Sequence, residues 1–299
     1  MNNLNPKVTL DQWKAFHAVV EYGGYAQAAE QLHKSQSTLS YAVQKLESVL
    51  ELKVLKVEGR KAQLTREGEV LLRRSKQLLE SAVLVERVAH NLSLGVEAVV
   101  HLGVDVLFMH DDLLGLLAQF STQFPDTRVE LRETVLSGGH ELLNAGVVDV
   151  LITATVPSGF VGDPLMNVEM ACVASVGHPL NQLERKVTLE DLKHHRQIVT
   201  RDSGQQRKQN APWLEAEQRW TVSNMSTSIR AISQGMGFAW IPLSHIGEHL
   251  QQGKLKAIDM AQGGSRFVQL YLVYKDKDGA GPATCQLTEI LHRYGEQHG

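Results

Sequence analysis

The stretch SQSTLSYAVQKLESVL, residues 35–50, has the apolar spacing of an amphipathic α-helix. Its large apolar residues recur at intervals of four, three and four, at Leu39, Val43, Leu46 and Leu50. Because an α-helix turns once every 3.6 residues, this spacing places all four side chains on one face. The pattern predicts a helix that buries one side against a protein core.

Another face of the same helix carries short polar side chains. Ser37, Ser40, Tyr41 and Gln44 share that face, and Ser35 is placed to cap the helix because its hydroxyl can accept a first-turn N–H. On this stretch alone, a solvated surface and a binding surface are both open interpretations. The flanking sequence favours one of them.

Two further predicted helices precede this one. TLDQWKAFHAVVEYGG, residues 9–24, begins with a capping-box pattern and then shows helical apolar spacing. YAQAAEQLHKS, residues 25–35, predicts a short helix with Ala28, Ala29 and Leu32 facing inward. A tight turn follows. Helix, short helix, turn and helix together indicate a helix-turn-helix, whose second helix can lie in the DNA major groove.

The next segment predicts a wing. LKVLKVEGRKAQLT, residues 52–65, reads as two short strands with Arg60 and Lys61 near the tip. Residues 1–66 hold nine Lys or Arg and six Asp or Glu, a net charge of +3, and the rest holds 21 and 27, a net of −6. A dimer that pairs two such positive modules gains phosphate contacts.

FHAVVEYGGYAQAAEQLHKSQSTLSYAVQKLE, followed by GRKAQLTREG, resembles the N-terminal domain of LysR-type transcriptional regulators. The resemblance implies a winged helix-turn-helix that binds double-stranded DNA, in a chain that self-associates as a dimer and a tetramer. Two positions depart from the family pattern: Glu51 replaces a common Gly, and Lys56 stands near the usual Arg of the wing. The residues expected to contact DNA are Ser35, Gln36, Ser37, Thr38, Ser40, Tyr41, Lys45, Arg60 and Lys61.

A long helix is predicted from Glu67 to about Leu94. Large apolar residues recur every seven positions, with small residues between them, which is the pattern of a helix–helix seam. At 1.5 Å per residue, 28 residues span roughly 42 Å. We favour a seam between two chains, and packing on the chain's own C-terminal domain is the alternative. The predicted dimerisation residues are Leu71, Leu78, Ala82, Val85 and Leu92.

Beyond this helix the sequence alternates between buried strands and helices. The order strand–helix–strand–helix–strand predicts a parallel α/β sheet covered on both faces. A second unit of the same kind follows, after a predicted crossover at residues 154–166. The arrangement resembles the two-lobed periplasmic solute-binding fold, which LysR-type regulators also carry. The predicted domains are a winged helix-turn-helix at 1–66, a linker and dimerisation helix at 67–95 and an effector-binding domain at 96–299, with lobe I at 96–160 and 269–299 and lobe II at 161–268.

A small ligand in such a fold lies between the lobes, at the carboxyl ends of the strands. Asp105 in lobe I and Arg201 in lobe II are predicted to bracket a small polar effector there. An ion pair that closes an empty cleft is the alternative. The predicted effector-binding residues are Asp105, Val106, Thr134, Ser137, Thr153, Arg201, Asp202, Ser203, Asn224 and Met225.

Other features of the sequence limit the classes of function that we expect. No signal-peptide pattern and no long apolar run are present, so we expect a cytoplasmic protein. Cys172 and Cys285 have no metal-binding spacing, and a redox-sensing pair is an alternative use of them. No catalytic triad order, phosphate-binding glycine loop or metal cluster is evident, so we expect neither an enzyme nor a cofactor. A solute-binding or sensor protein without a DNA role is the rival hypothesis.

Overall fold

The computed structural model describes residues 5–58, 61–205 and 213–298. The chain forms two compact units that divide between Asn91 and Leu92, and each is described separately. No helix in the described ranges is both long enough and apolar enough to cross a lipid bilayer.

The first unit is a winged helix-turn-helix followed by a long helix, as the sequence predicts. Its core contains Phe16, Val19, Ala28, Leu39 and Leu46, all 1% exposed or less. Leu32 was expected inside, but it is 38% exposed because the short helix ends there. The elements are α1 Leu10–Glu21, α2 Tyr25–Gln31, α3 Gln36–Leu50, β1 Leu55–Glu58, β2 Lys61–Leu64 and α4 Arg66–Ser93.

The predicted caps determine where the helices begin. Thr9 and Gln12 form a reciprocal capping box at α1, and the Ser35 hydroxyl accepts the Thr38 N–H at 3.1 Å at α3. At the other end of α3, Glu51 adopts a left-handed conformation with φ 55°. Such a conformation favours glycine, which explains why Gly is common at this family position.

A buried carboxylate attaches the wing to α3. Glu47 is 7% exposed, and its Oε1 accepts the N–H groups of Val54 at 3.0 Å and Leu55 at 3.3 Å. The Lys53 ammonium contacts Oε2 at 2.6 Å. These bonds position the first strand of the wing, which pairs with β2 in antiparallel register from Leu55–Leu64 to Glu58–Lys61.

The first turns of α4 pack on the core of the first unit. Leu71, Leu72 and Leu79 contact that core, and buried Ser75 hydrogen-bonds the His17 ring at 2.8 Å. The predicted seam residue Leu71 is therefore partly buried within its own chain. Farther along α4 the seam becomes accessible, with Val85 68% exposed.

The second unit contains one twisted sheet in the order β4-β3-β5-β11-β6-β9-β7-β8, and β10 pairs with β6. Lobe I holds the parallel strands β3 Val99–Asp105, β4 Arg128–Thr134 and β5 Val150–Thr153, with α5 His110–Gln123, α6 Ser137–Asn144 and α10 Pro282–His298. The apolar spacing of this helix predicts that Leu113, Leu114, Leu117 and Phe120 face inward. Leu113 and Phe120 are buried in the core, whereas Leu114 is 59% exposed.

Lobe II is built around parallel strands of its own. Its elements are α7 Leu189–Lys193, β7 Gln197–Thr200, β8 Arg219–Val222, α8 Met225–Ser233, β9 Phe238–Pro242, α9 Gly247–Gln251 and β10 Leu255–Ala257.

Two long antiparallel strands run through both lobes, β6 Gly162–Ser175 and β11 Ser265–Tyr274. The predicted crossover at 154–166 is therefore a loop only as far as Val161, because the chain pairs with β11 from Gly162 onwards. The fold class predicted from the sequence is confirmed: a winged helix-turn-helix, a long helix and a two-lobed α/β domain.

Candidate functional site: an α3 recognition face and an interlobe cavity

The α3 recognition face consists of the exposed residues Gln36, Ser37, Tyr41 and Gln44 and the half-buried Ser40. Tyr41 is 69% exposed, whereas Leu39 and Val43 on the other side are 1% exposed. The Gln44 amide donates to the Ser40 hydroxyl at 3.3 Å. The buried side fixes the helix, and the polar side is left free to contact a partner.

Hydroxyl groups cluster at the start of α3. The Ser35 hydroxyl lies 2.8 Å from the Ser37 hydroxyl and 2.7 Å from that of Thr38. A helix N-terminus carries a partial positive charge and free N–H groups, which suits a phosphate. Lys45 is exposed farther along α3. Arg60 lies outside the described residues, and Lys61 begins β2 at the wing.

In the second unit, a cavity of about 560 Å³ opens between the lobes. This volume is in the ordinary range for small-molecule sites. From lobe I it is lined by Asp105, Val106, Leu107, Val135, Leu136, Ala154 and Thr155. From lobe II and the two long strands it is lined by Met170, Leu189, Gln197, Ile198, Val199, Thr200, Trp213, Met225, Ser228, Trp240, Gly263, Arg266 and Val268.

Asp105 is the buried carboxylate of this cavity. It is 5% exposed, and it accepts backbone N–H groups from Leu107, at 3.0 Å, and from Leu136. Burial raises the pKa of Asp105 to about 6, although the two N–H groups oppose that shift. A carboxylate removed from water in this way favours a ligand that can donate a hydrogen bond to it.

Lobe II holds three buried polar atoms that belong to residues lining the cavity. Gln197 Oε1, Trp213 Nε1 and Ser228 Oγ have no hydrogen-bond partner among the described residues, and all three residues line the cavity. Gln197 is 3% exposed and Ser228 is 1% exposed. Buried polar atoms are nearly always hydrogen-bonded, so these three are exceptions within the described part of lobe II.

Arg266, an exposed residue of β11, is among the lining residues of this cavity. Partial burial lowers its pKa, and no charged neighbour contributes to that shift among the described residues. Arg201, predicted for this role, is exposed and does not line the cavity, because the chain turns away after β7. The structure therefore brings Asp105, and not Arg201, to this cavity.

The other predicted effector residues fall into three groups. Val106 and Met225 line the cavity as expected. Thr134 and Thr153 are 2% exposed and do not line it, and Asn224 is an exposed residue at the start of α8. The third group, Ser137, Asp202 and Ser203, joins the lobes directly.

This third group forms the interlobe latch. Asp202 Oδ1 accepts the Ser137 N–H at 3.0 Å, and Oδ2 accepts the Ser137 hydroxyl at 2.7 Å. The Ser203 hydroxyl accepts the Val135 N–H at 2.9 Å. Asp202 and Ser203 follow β7 of lobe II, and Ser137 begins α6 of lobe I. The sequence alternative was an ion pair between Asp105 and Arg201. The structure instead joins the lobes through hydrogen bonds between other residues.

Local backbone geometry makes the latch fit. Leu136 has φ 51°. Its N–H donates a hydrogen bond to Asp105, and the N–H of Ser137 donates to Asp202. A Cβ on Gly138 would lie 1.9 Å from the Ser203 hydroxyl, so only glycine permits this approach of the lobes. The same holds for Gly204 against the Ser137 hydroxyl, at 2.1 Å.

The cysteines are placed poorly for the redox alternative. Cys172 is fully buried in β6, and Cys285 is exposed on α10. Burial raises the pKa of the Cys172 thiol, which suppresses the thiolate that oxidation requires.

Sequence reasoning missed Gln197, Trp213, Ser228, Trp240 and Arg266. The prediction considered only residues at the carboxyl ends of strands, whereas these five residues lie within strands and helices or in the loops between them. The sequence gives one signal for Gln197: it is a polar residue at the first position of the buried strand QIVT.

Family models match both units. The model for bacterial regulatory helix-turn-helix proteins of the lysR family matches residues 10–69, and the model for the LysR substrate binding domain matches residues 94–296. The HTH-type transcriptional regulator YeeY of Escherichia coli K12 is 30% identical over 83% of this chain and 82% of its own. PunR, an HTH-type transcriptional regulator of the same organism, is 23% identical over 81% and 80%.

Solved structures share the fold. Full-length AphB, a virulence activator of Vibrio cholerae, aligns with a TM-score of 0.53 at 21% identity, over 96% of this chain and 99% of AphB. CrgA, a LysR-type transcriptional regulator from Neisseria meningitidis, aligns with a TM-score of 0.52 at 22% identity, over the same two shares.

Proposed function

Because this chain belongs to the LysR family of DNA-binding transcription regulators, we propose that a small effector in the interlobe cavity controls how the α3 recognition face binds DNA. The observation that carries this proposal is one cavity of about 560 Å³ that is lined by residues of both lobes, the buried Asp105 among them. An effector changes DNA binding only to the extent that it prefers one arrangement of the lobes over another.

The recognition face supplies hydrogen-bonding groups to base edges and phosphates. Ser and Gln side chains both suit this role, and Lys45 suits a phosphate. In this proposal two chains associate through the exposed part of α4, so that two recognition faces bind the two halves of one operator.

Paired substitutions on α3 test the DNA contacts. Ser37→Ala removes an exposed hydroxyl and is expected to weaken binding to a selected operator by about 1–3 kcal/mol, with little effect on unrelated DNA. Lys45→Ala is expected to weaken binding to all sequences and to flatten the dependence on salt. Ser121→Ala, an exposed serine of α5, is the control. Unchanged operator affinity in Ser37→Ala would exclude its contact with DNA.

Filling the cavity tests the control site. Thr155→Trp and Leu189→Trp add bulk at exposed lining positions in lobe I and lobe II, so both variants are expected to fold. Leu183→Trp, at an exposed position outside this cavity, is the matched control. Metabolite-sized acids, amines and alcohols are screened for a thermal shift and for changed operator affinity. Thermal shifts and changes in operator affinity should disappear in the two filled variants and persist in Leu183→Trp. If they persist in all three variants, the effector binds outside this cavity.

A further inference from the structure

Hydrogen bonds attach the long helix α4 to the winged helix-turn-helix near its beginning and again at Ser75. At the beginning, the Thr65 N–H donates to the Val54 carbonyl at 3.1 Å, and the Thr65 hydroxyl donates to the Lys53 carbonyl at 2.7 Å. The same hydroxyl accepts the Gly68 N–H at 2.9 Å in the first turn of α4. Ser75 lies about 15 Å farther along the helix, at 1.5 Å per residue.

The second attachment joins Ser75 to His17 of α1. The Ser75 Oγ lies 2.8 Å from the His17 Nε2 and 2.7 Å from the Leu71 carbonyl oxygen, in the preceding turn of α4. A hydroxyl has a single hydrogen, and a carbonyl oxygen can only accept, so the hydrogen goes to Leu71 and His17 Nε2 donates to Ser75. The direction of the bond between the two helices is thereby fixed.

The surroundings hold both side chains of this bond in place. Ser75 is 4% exposed, and the half-buried His17 ring packs edge-on against Phe16, with ring centroids 5.9 Å apart. Burial lowers the pKa of His17, an effect that Glu21 opposes and Lys76 reinforces. Nε2 carries a hydrogen both in this neutral ring and in the protonated ring, so the bond does not depend on titration of His17.

A helix that is attached at one point can pivot, whereas a second attachment determines its direction. Leu71, Leu72 and Leu79 of α4 add apolar contacts with the core of the first unit, but the hydrophobic effect is non-directional. A hydrogen bond depends on both distance and angle. Loss of the bond between His17 and Ser75 would therefore allow α4 to rotate about its first turn.

The direction of α4 sets the separation of the two recognition faces in the proposed dimer. Val85, on the predicted seam, lies about 30 Å beyond Thr65 at 1.5 Å per residue. At that radius, a rotation of about 10° moves the winged helix-turn-helix roughly 5 Å, which is the rise of one to two base pairs at about 3.4 Å each. A loosely attached α4 would therefore accept operators that differ in the spacing of their half-sites.

We propose that His17 and Ser75 are positioning residues, which fix α4 on the winged helix-turn-helix and thereby select the spacing between the two half-sites of the operator. They act through the direction of α4 and not through a contact with DNA. This inference rests on the proposed function, because it requires two chains joined along α4.

A spacing series on the full chain tests this role. The probe is an operator duplex selected from a random library with the parent chain, together with duplexes that gain or lose one or two base pairs between its half-sites. The parent chain is expected to prefer the selected spacing at least about tenfold, because the geometry of a dimer dictates the half-site spacing. A duplex with a single half-site reports the DNA contacts of α3 separately.

Substitutions at both ends of the bond assign the effect. Ser75→Ala removes the acceptor, and the combination of His17→Leu with Ser75→Ala replaces the bond with apolar groups. Both should reduce the spacing preference to about threefold or less and leave binding to the single half-site unchanged. His17→Gln retains an N–H donor and should keep the preference. Ser81→Ala is the matched control, because this exposed hydroxyl donates to the Gln77 carbonyl within α4 at 2.7 Å.

An unchanged spacing preference in the combined variant would overturn the inference. Loss of single-half-site binding in that variant would also overturn it, because the bond would then maintain the fold of the module and not its orientation. The seam is tested separately by Val85→Asp. If that variant self-associates like the parent chain in sedimentation, the proposed pairing of two chains along α4 fails. If the seam is confirmed and the spacing preference persists in the combined variant, only this inference fails.

Discussion

At the scale of single residues, Asp105 shows how position changes the chemistry of a side chain. A carboxyl group normally titrates near 3.8, but burial raises the pKa of Asp105 to about 6. The folded chain thus holds this proton more tightly than the unfolded chain. The resulting cost to stability is absent below pH 3.8, grows between 3.8 and 6, and is complete above 6.

Asp105→Asn removes that cost and should stabilise the second unit at pH 8. The gain is up to about 3 kcal/mol, at 1.36 kcal/mol for each unit of pKa shift. It should shrink as the pH falls through 6 and vanish near 4. Urea unfolding at several pH values measures it, with Asp259→Asn, an exposed aspartate, as the control. A difference from the parent chain that does not vary with pH would contradict the assignment of the shift to Asp105.

At the scale of elements, the end of α3 carries strain that glycine relieves. Glu51 has φ 55° and ψ 34°, a conformation that L residues rarely adopt. Glu51→Gly is expected to stabilise the first unit by about 0.5–1 kcal/mol. Glu51→Ala removes the same charge but does not gain the conformational freedom of glycine, so it should not stabilise the first unit. Thermal unfolding compares the two, and equal effects would show that charge, not conformation, matters at this position.

The long helix α4 presents two valines that differ chiefly in the face they occupy. Val85 lies on the predicted seam and is 68% exposed, and Val83 is 56% exposed on the opposite side of the helix. Val85→Asp should place a charge in the interface and weaken self-association roughly a hundredfold, for a penalty of about 3 kcal/mol. Val83→Asp should leave it intact. Sedimentation measures both, and equal behaviour of the two variants would argue against the seam.

At the scale of the whole molecule, sequence patterns predicted the elements better than their assembly. The spacing of Leu39, Val43 and Leu46 depends on one helix and was interpreted correctly. The first part of β6 was not, because Pro164 and a mixed pattern hide a strand whose partner, β11, is about a hundred residues away. The cavity was only partly predicted, since Gln197 and Arg266 line it from strands that are far apart both in the sequence and in the sheet.

The latch is the contact that couples the lobes, and its loss is the last prediction. Asp202→Ala removes the acceptor of two Ser137 bonds and of the Gly204 N–H, which lies 2.8 Å from Oδ1. Hydrogen bonds to a charged group contribute about 1.5–3 kcal/mol, so hydrogen exchange of the Ser137 and Gly204 amides should accelerate about 10- to 100-fold.

The exchange experiment has two controls within the chain. Asp259→Ala removes an exposed aspartate of lobe II and should leave these amides unchanged. Ser137→Ala with Asp202→Ala closes a double-mutant cycle, and because the two residues share bonds their effects should be less than additive. Unchanged exchange together with additive effects would show that Asp202 does not hold the lobes together.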